Sequence, residues 1–296
     1  MGNENETVKY ESKALTGVER QSLPGKFVEI SGGQVHYDLE GPENGKKVIL
    51  VSGFATPMIV WDHTFKTLVN AGFRVLRYDL FGQGFSDRPR AKYSMNFLVD
   101  QLYKLLERLQ INDYDLSLVG FNLGGGICLK FADLYMNMVS KISLVSPIGF
   151  PSDSSITPFY LRIPLLNQLT MRFFSPEMLI EGQQSDYQHQ NPNVKEYMGK
   201  YKEQFMYEGI MQSLRSLLKN ISFTDMEDVY KQVGKKIPMQ LFWGELDQNI
   251  PYLTYKKVNE AVPKIEFHGI TGGGHIPQYT HPEFVNPPLK DFLKKK

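Results

Sequence analysis

Three features of the sequence predict an α/β chain with a mostly parallel central sheet of about eight strands, flanked by helices and carrying one insertion. Short β-branched or apolar runs alternate with amphipathic stretches, the pattern of a sheet covered on its faces by helices. Several of these runs end in glycine-containing loops. The alternation breaks only once, from Pro151 to about Gly234, where prolines recur, Leu, Met, Phe and Tyr are dense, and no clear strand is present.

The elements follow in order. Lys26–Ile30 and Gln34–Leu39, joined by Ser31-Gly32-Gly33, read as an opening hairpin. Lys47–Ser52 and Arg74–Leu80 are the next two strands. Met95–Leu109 places Phe97, Leu98, Leu102, Leu105, Leu106 and Leu109 at helical spacing. Tyr114–Phe121 is a strand, Leu123–Tyr135 a helix and Lys141–Ser146 a buried strand. After the interruption, Met239–Gly244 and Lys264–Ile270 resume the sheet, with Pro251–Val262 as a helix between them. Pro282–Lys296 suits a last helix, which Pro287-Pro288 is expected to break or kink. The organisation is therefore a first part of the core in residues 1–150, a helical cap in 151–235 and the end of the core in 236–296.

Composition excludes several classes. The 296 residues fit one large α/β domain or a core with an insertion. At 42% hydrophobic and 22% charged, the chain is neither disordered nor fibrous. Thirty-three Lys and Arg balance 32 Asp and Glu, giving +1, so no bulk field favours nucleic acid or an anionic membrane. Lys294-Lys295-Lys296 reads as a solvated charge run. The single cysteine, Cys128, has no intrachain disulfide partner, and no Cys/His spacing suits structural zinc. Met1–Lys13 lacks the apolar core of a signal peptide, and no run reaches the roughly 18 apolar residues of a membrane span. Gly2 suggests myristoylation, but Glu6 occupies the position that needs Ser or Thr. The expectation is a soluble cytoplasmic protein.

The sharpest motif is Val119-Gly120-Phe121-Asn122-Leu123-Gly124-Gly125-Gly126. Small residues two before and two after Asn122 permit a tight strand-to-helix turn that lifts that side chain above the sheet edge. The helix N-terminus beneath it would offer N–H groups to a developing negative charge. Alone, this pattern is weak. Trp243-Gly244-Glu245-Leu246-Asp247 then places an acid after a late strand, and Gly272-Gly273-Gly274-His275 follows the next one.

In that order of turn, acid and histidine the chain resembles the α/β-hydrolase fold. The resemblance runs from Lys26 to the last helix. It includes Ser52-Gly53-Phe54 and the run from Asp79 to Pro89, which looks like the D-x-x-G-x-G-x-S-x-x-P signature of ester hydrolases, C–C hydrolases and peptidases of this fold. The similarity is to cap-bearing serine ester hydrolases of the monoacylglycerol lipase or carboxylesterase type. It implies Asn122 at the nucleophile position, His275 as base, Asp247 orienting it, and backbone N–H groups of Phe54 and Leu123 forming the oxyanion hole. Phe54, Phe159, Leu165, Phe173, Ile250 and Ile276 are candidate substrate-binding residues. No metal or organic cofactor is implied, and the expected partner is a small apolar ester-like substrate or ligand.

Two positions depart from the pattern. Ser52-Gly53 stands where the family often has His-Gly, which need not disturb backbone donors. Asn122 stands where these enzymes carry Ser, or sometimes Asp or Cys. A serine hydroxyl becomes a nucleophile when a histidine takes its proton. An amide nitrogen has its lone pair delocalised, so Asn122 cannot form the ordinary acyl-enzyme.

Three readings follow. The chain is a serine ester hydrolase whose nucleophile became Asn, which Leu123 supports because G-x-S-[LM]-G-G is a common serine elbow. It is an Asp-nucleophile dehalogenase or epoxide hydrolase carrying Asp→Asn, although those families usually have Trp after the nucleophile and a His-Gly-x-Pro loop. Or it is a binding or signalling module that kept the pocket without the chemistry. Other residues have plainer readings. Glu245 is the alternative acid, His281 a surface residue, Cys128 an inert buried thiol, Asp79 a loop stabiliser and Asp100 a solvated helix residue. Most apolar residues of the insertion form its own small core, and the rest line a pocket over the elbow.

Overall fold

The computed structural model describes residues 9–111, 114–150, 174–186, 192–221 and 225–295. Eight strands form one sheet: β1 (Lys26–Ile30), β2 (Gly33–Glu40), β3 (Lys47–Val51), β4 (Arg74–Tyr78), β5 (Leu116–Phe121), β6 (Val139–Val145), β7 (Met239–Gly244) and β8 (Glu266–Ile270). Their order is β1-β2-β4-β3-β5-β6-β7-β8. The opening hairpin pairs antiparallel, with Val28 opposite Val35, and β2 also pairs antiparallel with β4. All remaining pairings are parallel. β5 and β7 are buried at every position, as expected of strands covered on both faces.

The helices are α1 (Gly17–Ser22), α2 (Asp62–Asn70), α3 (Met95–Arg108), α4 (Leu123–Leu134), α5 (Pro176–Asp186), α6 (Pro192–Glu203), α7 (Ile210–Asn220), α8 (Glu227–Gly234), α9 (Tyr255–Ala261), α10 (Pro277–Thr280) and α11 (Pro282–Lys294). α3, α4, α8 and α9 pack side by side, and α2, α10 and α11 form a second group. This is the α/β-hydrolase fold. Because β3 to β8 run parallel, their C-terminal ends share one edge of the sheet. The loops after β3, β4, β5, β7 and β8 gather there, where ligands bind in open α/β sheets.

Outside the insertion, α1, α2 and the four-residue α10 were not read from the sequence. α1 spans six residues, capped by the Thr16 hydroxyl, and is too short to carry a periodicity. α2 buries only Thr64, Phe65 and Leu68, so its apolar stripe is narrow. The last helix runs unbroken through Pro287 and Pro288. Two backbone donors are lost, but Val285, Leu289, Phe292 and Leu293 are buried on the core side, and that burial outweighs the local penalty.

Helices α5 to α8 lie between β6 and β7 in the chain. Several ties hold α6 and α7 to the rest. Lys200 on α6 reaches Asp62 at 2.9 Å, and Arg77 on β4 reaches the same carboxylate at 2.5 Å. The segment before α1 straps the start of α7. Lys13 bridges Tyr207, and the Glu11 carboxylate accepts N–H bonds from Gly209 at 2.9 Å and Met211 at 3.3 Å, satisfying donors that a helix start leaves open.

Burial raises the Asp62 carboxyl, but the Arg77 guanidinium and Lys200 ammonium more than offset it and hold it below the usual range. A carboxylate with a depressed folded value stabilises the fold above its unfolded value, near pH 4, and the contribution fades as pH falls through the folded one. Asp62→Asn is expected to cost roughly 2 kcal/mol at neutral pH. In a pH series of thermal melts the gap to the parent should narrow steadily below about pH 4.

Candidate functional site

β5 runs straight into Asn122, and α4 begins at the next residue. Asn122 sits at φ 50°, ψ −116°, a strained conformation for a residue with a side chain. Three backbone hydrogen bonds hold it there. Its N–H donates to the Val145 carbonyl at 3.0 Å, and its carbonyl accepts from Gly125 at 3.0 Å and Ile148 at 3.2 Å. The flanking glycines are required by close approach. A Cβ on Gly120 would lie 2.5 Å from the Gly124 carbonyl oxygen, and one on Gly124 would collide with the Val51 carbonyl. β3, β5 and α4 could not otherwise come this close.

The structure brings Asn122, His275 and Asp247 into one chain of contacts. The Asn122 Nδ2 donates to His275 Nε2 at 3.2 Å, and the other ring nitrogen, Nδ1, donates to Asp247 Oδ2 at 2.9 Å. Nε2 accepts an amide hydrogen, so the ring proton resides on Nδ1, facing the carboxylate. His275 is 5% exposed in its side chain and Asp247 is fully enclosed. Asp247 also accepts at Oδ1 from the N–H groups of Asn249 and Ile250, each at 2.9 Å. It forms a loop turn and faces the histidine at once. Glu245 is exposed. The Phe121 ring packs 4.9 Å from the His275 ring.

The Asn122 Oδ1 has its own partners. Leu123 N–H donates to it at 2.7 Å and Phe54 N–H at 3.3 Å. Two backbone donors, one on the loop after β3 and one at the first turn of α4, thus converge on one oxygen. Beside it lies a small cavity, lined by Phe54, Leu123 and Ile148 of the core, by Leu217, Leu218 and Ile221 at the end of α7, and by Asn122.

Phe54 therefore borders this cavity, whereas Ile250 and Ile276 do not. Ile250 presents its backbone to Asp247 and Trp243, and Ile276 is buried at the start of α10. Phe159, Leu165 and Phe173 lie outside the described residues. Ile148, Leu217, Leu218 and Ile221 were missed. In the sequence, nothing distinguishes the end of α7 from the other apolar stretches of the insertion.

The Phe54 loop is positioned from below. Asp79 accepts from Met58 N–H at 2.7 Å and Phe85 N–H at 2.8 Å, and His36 Nδ1 meets it at 2.7 Å. His36 donates its other N–H to the Pro24 carbonyl at 2.7 Å. Ser86 donates to the Asp79 carbonyl at 2.7 Å and accepts from His36 N–H at 3.0 Å. The Asp79–Pro89 motif is thus a self-bonded loop. Its Gln83 accepts from Thr56 N–H at 3.0 Å. Gln204, between α6 and α7, donates to the Ala55 carbonyl at 2.9 Å and accepts from Gly84 N–H at 3.1 Å. Arg88 is enclosed beneath, and burial lowers its guanidinium to about 10, so it stays charged. His281 is half-buried, with its Nδ1 2.9 Å from the Thr280 hydroxyl. Cys128 is buried and burial pushes its thiol far up, leaving it unreactive.

A family model described as serine aminopeptidase, S33 (Hydrolase_4) matches residues 42–277. The chain belongs to this family. An uncharacterised protein of Mycobacterium tuberculosis is 26% identical over 252 residues, which span 81% of this chain and 72% of that one. Among solved structures, the bromoperoxidase from Bacillus anthracis superposes with a TM-score of 0.79 at 22% identity, covering 92% of this chain and all of its own, 100%. The enol-lactonase from Burkholderia xenovorans gives 0.77 at 18% identity, covering 91% and 100%. Such identities show the fold. Among the described residues no cluster of His, Cys, Asp and Glu could hold a metal ion, and no helix is long and apolar enough to cross a membrane.

Gly124→Ala is expected to destabilise the protein by about 3 kcal/mol or more, since the new methyl meets backbone on a strand that cannot move aside. Gly182→Ala, where nothing lies within 4 Å of the added carbon, is the matched control. Thermal melts of the two variants check the contrast.

Proposed function

We propose that this chain is a carboxylic-ester hydrolase scaffold whose nucleophile position is held by Asn122, so that it binds a small apolar acyl group but forms no acyl-enzyme. The observation that carries this reading is the placement of His275 Nε2, 3.2 Å from the side-chain tip of Asn122 and backed by Asp247. A serine hydroxyl at this position would lie within reach of a base oriented by a buried carboxylate, the arrangement that activates it. The Phe54 and Leu123 N–H groups form the oxyanion hole in this reading, already aligned for a tetrahedral intermediate.

The cavity supports an ester over a peptide. An aminopeptidase needs a carboxylate to receive the substrate's terminal ammonium, and the described residues lining the cavity include none. Their aliphatic and aromatic surfaces suit an acyl chain. Residues 151–235 act as the cap in this reading, with Leu217, Leu218 and Ile221 supplying the far wall. The Asn122 amide oxygen occupies the two N–H donors itself, so it competes with a substrate carbonyl as well as failing as a nucleophile.

The test is hydrolysis of p-nitrophenyl esters of increasing acyl length by the protein and by Asn122→Ser. Serine should produce a burst and a gain of roughly 10³-fold or more. His275→Ala in the serine background should remove it, and short to medium chains should be preferred. A folded Asn122→Ser protein with no gain would overturn the reading in favour of a ligand-binding member of the fold.

A further inference from the structure

Asn122 is itself a carboxamide, and the site holds it as it would hold a substrate. Its oxygen receives two backbone N–H bonds, at 2.7 Å from Leu123 and 3.3 Å from Phe54. Both draw electron density from Cγ. Its nitrogen lies 3.2 Å from His275 Nε2, the one atom of the site able to take a proton and return it. The amide cannot turn over without aiming its NH2 at the two N–H donors, so the carbonyl face is fixed. Asn122 also lines the cavity, which has space for about one water molecule.

We propose that Asn122 is a self-modification site: the protein hydrolyses this side-chain amide and converts residue 122 to aspartate. A lone pair of water forms the bond to Cγ while the carbonyl π pair moves onto Oδ1, where the Leu123 and Phe54 N–H groups receive the charge. His275 Nε2 takes a proton from the attacking water, and Asp247 stabilises the resulting imidazolium. The pair on Oδ1 then re-forms the carbonyl, the Cγ–Nδ2 bond breaks, and Nδ2 takes the proton from Nε2 to leave as ammonia. One amide and one water give one carboxylic acid and one ammonia, which ionise to carboxylate and ammonium. No other reactant is consumed.

The backbone directs the attack to water. The competing route, in which the next residue's nitrogen attacks Cγ to close a succinimide, needs Leu123 N as a nucleophile. That nitrogen is the first of α4, its hydrogen is committed to Oδ1, and Asn122 is pinned by hydrogen bonds to Val145, Gly125 and Ile148. The two routes leave different products, since a succinimide opens to a mixture of aspartate and isoaspartate and water gives aspartate alone.

The inference rests on the Phe54 and Leu123 N–H groups acting as oxyanion donors, but its readout is mass and not ester turnover, so it stands or fails separately from the activity of Asn122→Ser. The folded full chain is incubated at neutral pH in heavy-oxygen water, digested, and the peptide carrying residue 122 is analysed by mass spectrometry and isomer-resolving chromatography. The expected result is aspartate alone, bearing one heavy oxygen. Conversion should fall roughly 10²-fold or more in His275→Ala and in His275→Gln, matching the loss of a general acid–base. The urea-unfolded parent chain should likewise convert far more slowly, which keeps the comparison valid should either variant fail to fold. Residue 122 remaining asparagine in the native protein, equal conversion in the unfolded chain or a folded His275 variant, or an aspartate–isoaspartate mixture would each overturn the proposal.

Discussion

Everything at the candidate site depends on one backbone constraint, the strained conformation of Asn122 between β5 and α4. A residue at φ 50° with a side chain costs energy that only a surrounding frame can hold in place. Here the frame is three backbone hydrogen bonds and two glycines without which β3, β5 and α4 could not meet. The result is a side chain standing clear of the sheet edge, with a helix start under its tip. The parallel sheet does the rest. Strands β7 and β8 release their chains at the same edge, so Asp247 and His275 arrive beside residue 122 from loops far away in sequence.

The fold was largely legible before the structure. Strands in this chain are dense β-branched runs bounded by glycine, and eight of these became strands with ends shifted by a few residues, such as Leu116 for Tyr114 and Val139 for Lys141. α1 and α2 left little trace because one has only six residues and the other buries a narrow stripe. Pro287-Pro288 misled for the opposite reason: a strong local rule was overridden by burial of the residues around it. Asn122, Asp247 and His275 were readable because glycine punctuation and chain order mark them, and the structure brings these three into contact. The cavity wall was not readable. Leu217, Leu218 and Ile221 belong to a segment whose apolar residues all look alike until tertiary contacts separate those facing inward from those facing the core.

The loop from Asp79 to Pro89 shows how a motif without chemistry of its own still serves a site. Asp79 closes the loop on itself and on His36, Gln83 passes that order to Thr56, and Thr56 belongs to the turn that carries Phe54. Gln204 clamps the same turn from the other side. The Phe54 N–H is therefore aimed by partners two and three bonds removed from it. Electrostatic stabilisation of this kind depends on donors that are fixed before any charge appears.

The strap formed by Glu11 and Lys13 links the opposite ends of the chain's hierarchy. Glu11 meets Gly209 across 198 positions of sequence, yet closing so long a loop costs little more than closing a shorter one, because the entropy grows only with its logarithm. The helix it caps is the one whose far end walls the cavity. A few residues near the amino terminus thus sit at one end of a lever whose other end is the pocket. Opening of that segment would uncap the helix and slacken the wall while the sheet beneath kept its shape.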